Sequence, residues 1–155
     1  MFMLKLLIGI SAIIISVKIG IDRASKNKRI YYFFNSVEIT CDKFISDISY
    51  KKSNVNSVLK GKYPSNEYNL LIDNFTKNNK LVLPNFLSIE EKLLIEDMFN
   101  SLGKMDSEAQ TKYILSIKNQ IKKISNEKLL NYKKFYNLSI KLGFIFGLFI
   151  FIMVI

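Results

Sequence analysis

The strongest constraint on this chain is its hydropathy layout, in which two apolar ends bracket a lysine-rich middle. Phe2 to Ile21 is interrupted only by Lys5 and Lys18, and Leu142 to Ile155 carries no charge. Twenty helical residues rise about 30 Å, the thickness of a bilayer's hydrocarbon core. The last fourteen rise only about 21 Å, but starting at Leu138 gives about 27 Å, with Lys141 reaching back to the interface. The layout predicts a transmembrane helix at each end, residues 1–21 and 138–155, with one domain, residues 22–137, between them. The first end does not read as a cleaved leader. A cut after Gly20 would leave Lys18 where a small residue is needed, and a cut after Ala24 would leave Asp22 there.

Flanking charge gives these ends an orientation. Arg23, Lys26, Lys28 and Arg29 follow the first, and Lys133, Lys134 and Lys141 lead into the second. Positive flanks stay inside, so the reading places the middle domain in the cytoplasm and both termini outside. The chain has 155 residues and a formal net charge of +10. Its 23 Ile against 3 Ala, with many Lys and Asn, is the usage of an AT-rich genome. That usage accounts for much of the basic balance without a nucleic-acid partner.

Periodicity predicts an all-α antiparallel bundle in the middle. Ile30, Phe33, Phe34, Val37, Cys41, Phe44, Ile45 and Ile48 recur at spacings of three and four, which makes one helical face apolar. Val55, Val58 and Leu59 form a short segment, and Pro64-Ser65-Asn66 restarts the chain with a cap at Ser65 or Asn66. Tyr68, Leu71, Ile72 and Phe75 make the next apolar face. Pro84 argues against regular helix over Leu81–Leu83. Ser88 and Glu91 form a capping box, after which Ile89, Leu93, Ile95, Met98, Phe99 and Leu102 supply the expected buried side. Gly103 stands where a left-handed residue ends a helix, and Asp106 with Gln110 reads as the next start. The last helix carries Ile114, Ile117, Ile121, Ile124, Leu129, Tyr132, Phe135 and Tyr136 within about 140° of a helical wheel. Lys112, Lys122, Lys123, Lys133 and Lys134 fall on its far side.

The chemistry-bearing residues are few. Histidine is absent, which removes the commonest general base and zinc ligand. The single Cys41 lies on an apolar stripe and reads as a core thiol. No phosphate-cradling loop, nucleophile-and-base pair or metal-ligand spacing is present, so neither a catalytic site nor a cofactor is expected. The aromatics lie on the core stripe and do not interleave with lysines, which argues against nucleic acid. Charge is nevertheless uneven. Glu90, Glu91, Glu96 and Asp97 make one helix acidic, and Lys122 and Lys123 belong to a basic one. These charges either pair inside the bundle or form a partner surface. Gly143 and Gly147 form a GxxxG, a spacing that lets two membrane helices approach closely.

From Phe99 through Leu102-Gly103 and Asp106 to Gln110, the chain resembles the family of stage III sporulation protein AB. Asp47-Ile48-Ser49-Tyr50 and the Leu142-Gly143 to Gly147 start of the tail resemble it as well. Ser53-Asn54-Val55 departs from the family's Thr-Pro-Leu, and the stretch from Asn78 to Leu87 is short. The resemblance implies a non-enzymatic component of the complex that a mother cell assembles in the membrane around the developing spore. It also implies a soluble domain similar to the cytoplasmic domain of type II secretion and type IV pilus platform proteins. The implied partners are other stage III membrane components, membrane lipid and a cytoplasmic secretion-type ATPase. On this reading Asp106 and Gln110 fix the turn, while Gly143 and Gly147 pack against another span. The competing reading is an extracytoplasmic, membrane-anchored or lipid-binding helical protein.

Overall fold

A computed structural model describes residues 2–50 and 54–154, apart from the side chains of 2–6, 8, 9, 12, 23, 49, 50, 151, 153 and 154. The described residues are all helix and connection. The order is α1 (Phe2–Tyr50), α2 (Val55–Leu59), α3 (Asn66–Asn78), α4 (Ile89–Ser101) and α5 (Ser107–Val154). The chain divides into two compact units, Met1–Arg29 with Glu127–Ile155 and Ile30–Asn126. We call them the arm pair and the core unit.

The core unit is built on the stripe read from the sequence. Phe33, Phe34, Val37 and Cys41 are wholly buried, and Ile30 and Phe44 nearly so. Tyr68, Leu71 and Ile72 of α3, Ile95, Met98 and Phe99 of α4, and Ile114, Ile117 and Ile121 of α5 complete the core. Phe33 is its centre, with edge-on ring contacts to Phe34, Tyr68 and Phe86. Such contacts add roughly 0.5–1.5 kcal/mol each beyond the area buried.

A buried polar chain ties α3 to α1. The Tyr68 hydroxyl donates to Thr40 Oγ1 at 2.7 Å, and Thr40 donates to the Ser36 carbonyl at 3.0 Å. Ser36 Oγ accepts from the Ser65 backbone N–H at 3.1 Å, and Ser65 Oγ caps α3 by accepting from the Tyr68 N–H. Each hydroxyl is satisfied, so these polar groups specify the docking of α3 without an unpaired-group penalty.

Helix α4 departs from expectation. Its capping box is present, with the Ser88 N–H donating to Glu91 Oε2 at 2.9 Å and the Glu91 N–H donating to Ser88 Oγ at 3.2 Å. Ile89 and Leu93, however, are not on the buried side; they are 79% and 53% exposed. α4 has apolar residues on two opposite faces, so periodicity alone could not choose between them. The core takes Glu91, Ile95, Met98 and Phe99, which lie about 100–180° around the helix from the midpoint of Ile89 and Leu93.

Residues 80–88 form a non-helical connection, consistent with Pro84. Ser53 and the side chains of Lys5, Arg23, Ser49 and Tyr50, which figured in the sequence reading, lie outside the described residues. Among the described residues no helix is long and apolar enough to cross a membrane. Each expected span, 1–21 and 138–155, includes positions outside the described set, and Lys18 or Lys141 interrupts what remains. The described part of each span is instead an apolar arm of a longer helix.

Candidate functional site

The link from α4 to α5 is a built device. Leu102 has φ −61° and ψ 126°, Gly103 has φ 73°, and the Lys104 N–H donates to the Ser101 carbonyl at 3.2 Å. This is a type II turn, whose third residue needs positive φ and therefore glycine. Asp106 Oδ1 then accepts from the Ala109 N–H at 2.9 Å and caps α5. Gln110 closes the turn from within. Its Nε2 donates to the Ser101 carbonyl and its Oε1 accepts from the Gly103 N–H, each at 3.3 Å. The sequence reading gave Gln110 a part in the capping start and, with Asp106, in fixing the turn; in the structure its side chain is 7% exposed and satisfies the backbone of the preceding turn. Phe99 sits in the core against Phe75, with ring centroids 4.9 Å apart. A cleft of about 230 Å³ opens beside this turn, lined by Phe44, Asp47, Ile48, Val55, Met105 and Gln110 among others.

Gly143 and Gly147 are buried in the arm pair, against the chain's own N-terminal arm. A Cβ on Gly143 would lie 3.0 Å from Val17 Cα, and one on Gly147 2.7 Å from Ile13 Cα. A Cβ on Gly20 would meet Ser139 Cβ at 2.7 Å. Backbones this close leave no room for a side chain, which is how small residues act in helix pairs. Gly20, with the buried Ala24 four residues on, is the half of this seam that the sequence reading missed. The small-x-x-x-small spacing Gly20–Ala24 was the available signal.

The charged residues stand apart from one another. Glu90 and Asp97 are exposed and Glu96 half-buried, whereas Glu91 is buried with its carboxylate accepting from the Ser88 N–H. Lys122 and Lys123 are exposed on α5. Lys112 pairs with Glu108 on its own helix, and Lys118 of α5 with Asp42 of α1. That second pair raises the Lys118 pKa, through the hydrogen bond first and the charge second. Burial, then the Asp42 charge, pushes the Cys41 thiol up to about 12. Protonated and 3.6 Å from Met98 Sδ, it packs as a core side chain. Among the described residues no group of Cys, Asp or Glu side chains is placed to hold a metal ion.

The described residues thus define a helical protein, with a Phe–Leu-Gly–Asp–Gln turn held by Gln110 and a glycine seam in the arm pair. Residues 80–155, just under half of the chain, match the family model of stage III sporulation protein AB. The match takes in the α4–α5 turn and the second half of the seam. The matched family is one of sporulation stage III. No curated protein and no solved structure matches it.

Proposed function

We propose that the chain is a non-enzymatic membrane platform of the stage III sporulation complex. Its arms lie in a bilayer and its core unit serves as the docking body. The observation that carries this reading is the outer surface of the arm pair. Leu7, Ile14, Phe144, Ile145, Phe149 and Ile152 are all exposed while glycines fill the seam between the helices. A helix pair that turns its large apolar groups outward suits lipid. Lys133, Lys134 and Lys141 suit the headgroup region on the cytoplasmic side, which would leave residues 22–137 there and both termini outside. On this reading the core unit meets a secretion-type ATPase, and ATP is hydrolysed by that partner. The buried, protonated Cys41 supports a binding body over a catalytic one.

Alkaline carbonate extraction of cells expressing the full chain tests the first half. The chain should stay with the membrane pellet, and release into the supernatant would overturn the reading. Protease added to spheroplasts should leave the core unit intact until the membrane is opened; digestion before opening would instead favour the extracytoplasmic alternative.

A further inference from the structure

Two faces of the core unit that bear exposed apolar residues have opposite charge and the same pattern. On α4, Ile89 and Leu93 sit at the centre of the outward face, 79% and 53% exposed. At 100° per residue, Glu96 flanks them on one side and Asp97 and Glu90 on the other, within an arc of about 120°. On α5, Leu115 is 48% exposed. Lys122 flanks it on one side and Lys123 and Lys112, the latter paired with Glu108, on the other, within an arc of about 100°. The acidic face runs about 12 Å along its helix and the basic face about 16 Å. Folding leaves both uncovered: the core consumes the opposite side of α4 and the Ile114–Ile117–Ile121 side of α5.

We infer that the α4 face of one copy docks on the α5 face of a second copy of this chain. An anionic membrane surface is a poor occupant for the α4 face, because its rim is acidic. A basic, leucine-centred helix is a good one, and the chain itself presents such a helix. The two patches differ, so the contact is heterologous and repeats from copy to copy, giving a ring or an open row. Each patch is small, so a single contact is weak, steered by charge and weakened by salt. Holding the copies on one surface raises their effective concentration and lets such a contact matter. The inference rests on the core unit and stands whether or not the arms span a bilayer.

The test uses the full chain in neutral detergent. A tagged Leu93→Cys chain is mixed with an untagged Leu115→Cys chain and oxidised with copper phenanthroline; the buried Cys41 does not compete. Hetero-crosslinks should exceed both homo-crosslinks at low salt and fall about tenfold near 1 M salt. Reversing the acids on the first chain (Glu96→Lys, Asp97→Lys) should cut the yield about tenfold. Reversing the lysines on the second as well (Lys122→Glu, Lys123→Glu) should restore it. That restoration separates lost docking from lost folding. Homo-crosslinks as abundant as hetero-crosslinks, a yield indifferent to salt, or no restoration by the second reversal would each overturn the inference.

Discussion

The arm pair and the core unit solve helix packing by opposite means. In the core unit large side chains meet in the middle, as Phe33, Tyr68, Met98 and Ile114 do, and charge faces out. In the arm pair the middle is nearly side-chain-free at Gly20, Gly143 and Gly147, and large apolar groups face out. Water drives the first arrangement by expelling apolar area. In the second, close backbone contact replaces core burial, and the large apolar groups stay on the outside.

The sharpest way to break the comparison is to hollow out one side of it. Phe33→Ala removes the ring that three aromatics contact and should cost about 3–5 kcal/mol in a urea titration of the full chain in neutral detergent. A cost below about 1 kcal/mol would show that Phe33 is not central. The opposite operation belongs to the arm pair. Gly147→Leu forces a side chain onto the Ile13 backbone and should cost about 1–3 kcal/mol through overpacking. The effect should appear as separation of spin labels at Ser11 and Leu148, with the core transition unmoved. An unchanged label distance would remove the seam from the account.

Smaller effects sharpen the picture. Tyr68→Phe leaves Thr40 without its donor and should cost about 1–2 kcal/mol without altering helix content by circular dichroism. Alkali probes the same interior. The Cys41 thiol is raised to about 12 from 9.0 in the folded chain. Its contribution is therefore fully present below pH 9 and lost as pH rises toward 12. Tyr68 and Lys118 are shifted in the same direction, from ordinary values of 10.0 and 10.5. The thermal midpoint should fall above pH 9, and Cys41→Ala should flatten the first part of that fall, between pH 9 and 10. An unaltered slope in the variant would dismiss the thiol as its source.

Much of the core was legible because Ile30 to Ile48 of α1, and Tyr68, Leu71, Ile72 and Phe75 of α3, each set one apolar face at helical spacing. The caps at Ser65, Ser88 and Asp106, and the positive φ at Gly103, were legible for a local reason: each follows from a residue and its neighbours within four positions. What escaped was non-local or ambiguous. Ser36 and Thr40 lie on the apolar stripe of α1, but only the arrival of Tyr68 and Ser65 shows why they are polar. Ile89 and Leu93 could not be separated from Ile95 and Met98, because α4 is apolar on two sides. Gly143 and Gly147 were recognised as a packing face, yet their partner was not, since Ile13 and Val17 carry no mark of it.

The glycine seam has a consequence for how the chain is made. Ile13 and Val17 are synthesised about 130 residues before Gly143 and Gly147. At ordinary elongation rates the first arm waits roughly 6–25 seconds for its mate. Throughout that interval its close-packing face is bare, and it is covered only once Gly143 and Gly147 have been made.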